Sequence, residues 1–308
     1  MGAPLSNALL AGSSVLYLMA VDHVSLSVTP VWLRRGDERL AIATGFFIGH
    51  EAPANQGFLS LVTNKHVVTG RPVRESGRSR GDSIEFEIRQ AGHDPSRVLS
   101  VVYPLYTTED EPTWLTSRSN PLADVAVIPL PLGSVRFEVP PYCLGLDWID
   151  YDISPYPGES VSVVGYPLAW RDRANRLPLW KTGHIASEPE QDFDGQPRFL
   201  VDITGRKGMS GSPVITGHRD LYFTKSQMPR MGGSGALLGV FASNALRFDD
   251  TTPATEVDTA EDTSPLSGPL DRPELGFVWK ASLLNEIVRG VDLTEFWKHV
   301  WGNLPKAP

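Results

Sequence analysis

The sequence contains almost no cysteine. Its only thiol belongs to Cys143, so no disulfide can form within the chain and packing must hold the fold together. A chain of 308 residues with 41% hydrophobic content is long enough to bury a sizeable core without such links. Because disulfides are rare in reducing compartments, we expect a cytoplasmic protein.

Long apolar runs are also missing. The stretch ALLAGSSVLYLMAV near the N-terminus is interrupted by Gly and Ser, and it falls short of the roughly 20 residues that a membrane-spanning helix needs. No Lys or Arg precedes it, so it lacks the basic start of a signal peptide. We therefore expect no membrane partner and assign residues 1–23 to an N-terminal extension.

Basic residues are outnumbered by acidic ones. The chain has 28 Lys and Arg against 36 Asp and Glu, a formal net charge of −8, which argues against a general attraction to nucleic acid. Its 8 tryptophans are scattered, unlike a platform for stacking bases. No histidine pair has metal-binding spacing of the H-E-x-x-H kind. The sequence thus predicts no metal, no cofactor and no nucleic-acid partner.

Most of the chain is predicted to form short strands. Segments such as HVSLSVTPVWL from His23 onward, LAIATGFFIG, DVAVIPL and SVSVVGYP are rich in β-branched and aromatic residues and are separated by Gly and Pro, which indicates an all-β barrel or sandwich. Helical periodicity is convincing only in ASLLNEIVRG and LTEFWKHVWG, where apolar residues recur three and four positions apart. We therefore predict C-terminal helices over residues 281–302.

The segment 249–274 differs from the rest of the chain. It is acidic, crowded with Thr, Ser and Pro, and holds almost no large apolar residue. Such a segment cannot bury enough apolar surface to offset the entropy of ordering it. The sequence therefore predicts a mobile acidic insertion.

A possible nucleophile lies in GRKGMSGSP, residues 205–213. Gly, Ser and Pro are common in turns, so the stretch alone does not mark Ser210 as reactive. A nucleophilic serine needs a basic histidine, and the histidine needs an acid that holds its tautomer. His66 follows the β-rich run LSLVT, and Asp124 begins the run DVAVI. Histidine, aspartate and serine follow one another in the order found in chymotrypsin-type barrels.

The blocks TNKHVV, ADVAVI and GMSGSP together resemble the three catalytic blocks of trypsin-like serine proteases, and the similarity spans most of the chain. The resemblance implies two six-stranded antiparallel β-barrels followed by C-terminal helices. On that basis we expect a first barrel over residues 24–140 that carries His66 and Asp124, and a second over 141–308 that carries Ser210. The acidic insertion would then interrupt the second barrel.

The resemblance also implies further site residues. The backbone N–H groups of Gly208 and Ser210 would form the oxyanion hole. The substrate pocket would be lined by four uncharged residues, Thr204, Ala242, Asn244 and Gly276. A pocket without charge favours an uncharged substrate side chain at the cleaved bond.

Two positions depart from the family pattern. Met209 stands where relatives often have Asp, so no buried ion pair with a new amino terminus can form there. Ser212 stands where many relatives have Gly, and it also breaks the G-x-S-x-G elbow of α/β-hydrolases, which we consider a poor alternative because PVI after the serine reads as strand.

These observations predict a serine endopeptidase that acts on protein or peptide substrates. The alternative is a trypsin-like fold without catalysis that serves as an interaction or regulatory module. The insertion 249–274 falls between LLGVFASN and GFVWKASLLNEIV, the expected pocket walls. A further hypothesis is therefore that the insertion covers the pocket or binds a regulatory protein.

Overall fold

A computed structural model describes residues 21–50, 58–90, 94–131, 141–218, 221–231, 234–242 and 274–305. The strands are β1 Val28–Arg35, β2 Glu38–His50, β3 Phe58–Thr63, β4 Ser83–Ile88, β5 Leu99–Pro104, β6 Ala126–Pro131, β7 Ser160–Gly165, β8 Leu179–Ile185, β9 Arg198–Asp202, β10 Pro213–His218, β11 Leu221–Phe223, β12 Pro229–Met231, β13 Ser234–Ala242 and β14 Leu275–Lys280. The helices are α1 His23–Ser27, α2 Lys65–Thr69, α3 Ser282–Arg289 and α4 Leu293–Gly302, with 3-10 turns at Leu146–Trp148, Pro167–Ala169 and Phe193–Gly195.

Strands β1 to β6 form an antiparallel sheet in the order β5-β4-β1-β2-β3-β6. Strand β4 shows why this sheet has a dry inner face. Successive side chains point to opposite faces, and the alternate residues Ile84, Phe86 and Ile88 are buried in one apolar cluster. Glu85 and Glu87 lie on the other face, yet both are also buried. The outer face of β4 is therefore covered as well.

Strands β7 to β10, β13 and β14 close into a barrel in the order β10-β13-β14-β9-β8-β7. Its interior is filled by apolar residues from every part of the ring, including Val163, Val201, Val214, Leu238 and Val278. Closure leaves no unpaired edge in this part of the chain. The loop that joins β9 to β10 in this barrel contains the predicted nucleophile, Ser210.

The all-β architecture is confirmed, with one difference in the first sheet. Its six strands curl, but β5 and β6 do not pair with each other among the described residues. Leu115 instead forms a single bridge to Val127 on the outer side of β6, because the chain after β5 first folds into a turn bridged by Tyr106 and Pro112. The described part of the first sheet is therefore an open barrel.

The C-terminal helices pack beside β6. Helix α3 buries Leu283, Leu284 and Ile287, in the apolar cluster that also contains residues 123, 125 and 127. Asp292 caps α4 by accepting hydrogen bonds from the backbone N–H groups of its first turn. The predicted helical region is thus two helices separated by a short break. The predicted acidic insertion falls outside the described residues except for Glu274, and the predicted domain boundaries stay predictions.

Candidate active site

His66 lies in the short helix α2, just after strand β3, and is held by two hydrogen bonds to Asp124. Its backbone N–H donates to Asp124 Oδ1 at 2.9 Å, and its ring Nδ1 lies 2.6 Å from Oδ2. The side chain of Asn64 donates to the Asp124 carbonyl at 2.6 Å, which ties β3 to the strand that follows Asp124. The two residues, which lie far apart in sequence, therefore form one unit.

The Asp124 carboxylate is fully buried, whereas the His66 side chain is 34% exposed. A carboxylate only accepts hydrogen bonds, so Nδ1 carries a proton, and in the neutral imidazole Nε2 is then the accepting nitrogen. The buried acid thus selects the tautomer in which the accessible nitrogen can act as a base.

Two consecutive tight turns build the loop, residues 206–209 and 209–212, and Ser210 lies within the second. Met209 N–H donates to the Arg206 carbonyl at 3.0 Å, and Ser212 N–H donates to the Met209 carbonyl at 3.0 Å. Each turn has a glycine with positive φ at its third position, Gly208 at +92° and Gly211 at +85°. This pattern is that of type II turns, which favour glycine at that position.

The Ser210 loop packs directly against the first sheet. Thr44 N–H of β2 donates to the Ser210 carbonyl at 2.9 Å. A β-carbon at Gly211 would lie 2.3 Å from the hydroxyl of Thr63, the last residue of β3. Because His66 follows three residues after Thr63, the loop and the histidine are neighbours. Met209 is fully buried in the apolar core of the barrel and so anchors the loop without a charge, worth about 1.5–3 kcal/mol.

The predicted oxyanion-hole residue Gly208 has a defined orientation. The Lys207 carbonyl accepts a hydrogen bond from Leu168 N–H at 2.6 Å. In a trans peptide the C=O and N–H groups point in opposite directions, and this chain has no cis peptide in its described part. The Gly208 N–H therefore points away from Leu168.

Three of the four predicted pocket residues lie at neighbouring strand ends. Ala242 ends β13 and pairs with Phe277 of β14, next to Gly276. A β-carbon at Gly276 would lie 2.2 Å from the ring of Phe241, so only glycine fits there. Thr204 follows β9, the other neighbour of β14. Asn244 lies outside the described residues.

Charged groups that the sequence analysis missed contact Thr204. Lys181 Nζ donates to its carbonyl, and its hydroxyl donates to the carboxylate of Glu274. Burial lowers the pKa of Lys181 below its usual range, Arg206 adds to the effect and Glu274 opposes it. No sequence signal pointed to this contact, because Lys181 lies on β8 and Glu274 at the end of the acidic segment.

Potential metal ligands within the described residues come together at one surface position. Donor atoms of Glu109, Glu111 and His299 all lie within 4.8 Å of one another, and all three side chains are exposed. His66 Nδ1 is already engaged by Asp124. This surface group is formed by the turn after β5 and by helix α4, not by the Ser210 loop.

The chain has the fold of trypsin-like peptidases, with a closed barrel, a curled sheet, and a histidine–aspartate unit beside a glycine-rich serine loop. The family profile of the trypsin-like peptidase domain matches residues 43–221. The chain belongs to this family, which supports a peptidase function.

Solved structures of proteases are similar to the chain at low sequence identity. Rv3671c from M. tuberculosis H37Rv in an inactive form is 16% identical, with 96% of this chain and 98% of that one covered and a TM-score of 0.43. A serine endoprotease from Yersinia pestis is 14% identical, with coverage of 94% and 67% and a TM-score of 0.45. The protease Anisep from Arthrobacter nicotinovorans is 14% identical, with coverage of 70% and 91% and a TM-score of 0.36.

A comparison with curated protein sequences finds no match. Among the described residues, no helix is long and apolar enough to span a membrane.

Proposed function

We propose that this protein is a serine endopeptidase in which Ser210 is the nucleophile, His66 the base and Asp124 the orienting acid. The observation that carries the proposal is the pair of hydrogen bonds from His66 to the buried Asp124 carboxylate. They leave Nε2 as the accepting nitrogen. The Ser210 loop packs against the end of β3, the strand that leads to His66.

The reaction then follows the chemistry of acyl transfer. Ser210 Oγ attacks the peptide carbonyl carbon while His66 Nε2 takes its proton, and His66 returns the proton to the departing amine. Water hydrolyses the resulting acyl-enzyme with His66 again acting as base. The N–H groups of Gly208 and Ser210 stabilise the negative charge on the carbonyl oxygen.

An extended peptide would pair along the end of β13. Both backbone polar groups of Phe241 are bonded to the serine loop, because its N–H donates to the Ser212 carbonyl and its carbonyl accepts from Gly211 N–H. Ala242 is the next residue, so a substrate strand beside it lies next to Ser210. Lys181 and Glu274 at Thr204 have opposite charges, which is consistent with the predicted preference for an uncharged side chain.

The test compares two serines of the same loop with a fluorophosphonate probe and a peptide library. Wild-type protein should be labelled and should cleave peptides. Ser210→Ala should lose the label and lower kcat by several orders of magnitude. Ser212→Ala is the matched control, because the Ser212 hydroxyl is fully buried and finds no hydrogen-bond partner among the described residues.

Ser212→Ala should keep both the label and the activity. It should also raise the free energy of unfolding by about 1 kcal/mol, since it removes a buried hydroxyl whose hydrogen bond is unmade. A folded wild-type protein that is neither labelled nor active would contradict the proposal and leave the silent interaction module as the interpretation.

A further inference from the structure

The segment 166–178, between β7 and β8, runs beside the Ser210 loop in a strained conformation. Three of its residues have positive φ although none is glycine: Leu168 at 52°, Ala169 at 62° and Arg176 at 58°. Such conformations are disfavoured and persist only where the surroundings hold them in place. Something outside the segment must therefore restrain it.

This segment determines the direction of one predicted oxyanion-hole donor. Leu168 N–H holds the Lys207 carbonyl at 2.6 Å, and so the opposite end of that peptide, the Gly208 N–H, has a fixed direction. The carbonyl of Tyr166 lies 2.5 Å from the position of a β-carbon on Gly208. A shift of the segment would turn the Gly208 peptide with it.

The restraint comes from the first sheet. Glu87 of β4 is 3% exposed. Arg171 Nη1 lies 3.1 Å from each of its carboxylate oxygens, and Arg176 Nη2 also contacts it. A buried carboxylate is tolerated only when it is paired and hydrogen-bonded. Both arginines belong to the strained segment, so the pairing ties that segment to β4.

The two ends of the segment are held at the same place, one through the Tyr166 side chain and the other through the Arg176 backbone. Arg89 is the residue after the end of β4 and lies on the same outer face as Glu87. Its Nη2 donates to the Arg176 carbonyl at 2.5 Å. The hydroxyl of Tyr166 donates to that same carbonyl at 3.3 Å. The start and the end of the segment therefore meet above the outer face of β4, directly beside Glu87.

We propose that Glu87, Arg171 and Arg176 are positioning residues that keep the Gly208 N–H directed at the reacting carbonyl oxygen. They act through Leu168 and Lys207 and touch no substrate. The inference rests on the proposed function. Met209 is apolar, so it can anchor the serine loop by burial but cannot form an ion pair that orients the preceding peptide. The contacts of Glu87 supply that orientation instead.

Glu85 provides a matched control on the same strand. It lies two residues before Glu87, on the same face, and is also buried. Arg39 and Arg34 pair with it, and both belong to the β1–β2 hairpin rather than to segment 166–178. Replacing either glutamate by glutamine removes a buried, doubly paired charge, but only one of the two changes releases the segment.

The kinetic test compares Glu87→Gln with Glu85→Gln. Loss of an oxyanion-hole donor lowers kcat by about 10²–10³-fold, so a misdirected donor should lower kcat at least tenfold in Glu87→Gln, with KM within about twofold of wild type. Glu85→Gln should stay within about twofold in both constants. Arg171→Gln, which changes a partly exposed residue, repeats the measurement if Glu87→Gln folds poorly. Equal kcat values for the Glu87 and Glu85 variants would overturn the proposal.

A second readout does not depend on activity. In a Ser210→Ala background, trypsin should cut after Arg171, Arg173 or Arg176 in the Glu87→Gln protein much faster than in the Glu85→Gln protein, as seen by the masses of the fragments. If wild type proves inactive but this difference is found, the restraint stands and the peptidase proposal fails. If wild type is active and both variants resist trypsin equally, the restraint is wrong.

Discussion

Gly211 lies so close to Thr63 that a β-carbon would approach the threonine hydroxyl to 2.3 Å and the Thr44 carbonyl to 2.1 Å. This contact joins the serine loop of the barrel to the strand of the first sheet that leads to His66. The two halves of the molecule thus meet where the candidate active site lies, and the contact is a place to test how the site is assembled.

Gly211→Ala should displace the loop. Its φ of +85° disfavours a side chain, and the methyl group would also overlap backbone and hydroxyl oxygens. We expect a loss of about 3 kcal/mol or more in the free energy of unfolding and a loss of peptidase activity. Gly158→Ala is the control, because Gly158 has the same φ of +85° and a β-carbon there would meet no atom of the described residues within 4 Å.

Gly158→Ala should cost only about 1–2 kcal/mol, the strain of the backbone alone, and should leave kcat unchanged. Chemical denaturation and peptide cleavage measure both quantities. If the two alanine variants behave alike, close packing between the serine loop and Thr63 is not what positions the loop.

Asp124→Asn should change the tautomer of His66. The His66 backbone N–H can only donate, so it would keep the amide oxygen at the Oδ1 position, and the amide nitrogen would face Nδ1. Nδ1 must then accept, which places the proton on Nε2 and removes the base. We expect kcat to fall by about 10⁴-fold with the fold intact. Activity within tenfold of wild type would show that Asp124 does not orient the base.

Glu286 of helix α3 should contribute stability that is lost in acid. Burial alone would raise the pKa of its carboxyl group, but hydrogen bonds from Ser119, Ser117 and Arg118 outweigh it and hold the pKa below its usual range. A lowered folded pKa means that the contribution is present above the unfolded value, about 4.3, and disappears as the pH falls through the folded value.

The Tm of wild type should therefore exceed that of Glu286→Gln at pH 7, and the difference should shrink toward pH 3. Ser117, which donates to Glu286, also accepts from the Asn120 N–H, and the Asn120 carbonyl accepts from the Ala123 N–H beside Asp124. The kcat at pH 7 should therefore also fall in the variant. A Tm difference that does not vary with pH would contradict the assignment.

His299 of helix α4 should behave in the opposite way. Its ring Nε2 lies 2.5 Å from the Glu111 carboxylate, and this hydrogen bond together with the charge of Glu111 raises the pKa of His299. A raised folded pKa means that the stabilisation is complete below the unfolded value, about 6.5, and is lost as the pH rises through the folded value.

His299→Gln should therefore lower the Tm more at pH 6 than at pH 9. Both partners are exposed, so the effect should be small and should weaken with added salt. A larger effect at pH 9 would show that the neutral histidine, not the charged one, makes the contact.

Local sequence patterns were sufficient for the class of fold. Alternating apolar residues and glycine-rich turns predict strands, and the three blocks in the order His66, Asp124 and Ser210 predict the family. Local pattern was wrong at residues 23–27, where alternation suggested a strand. Asp22 caps that stretch and Ser27 bonds back to His23, so it forms a helical turn before β1.

Contacts between distant segments decided the rest. The alternation in SIEFEIR predicts one wet face for β4, and only the return of segment 166–178 over that face buries Glu87 and pairs it with arginines. Thr204 itself carries no charge, yet Lys181 reaches it from β8 and Glu274 reaches it from the residue just before β14. The physical reason is that periodicity reports which side of a strand faces the nearest core, whereas burial of the opposite side depends on what the folded chain lays across it.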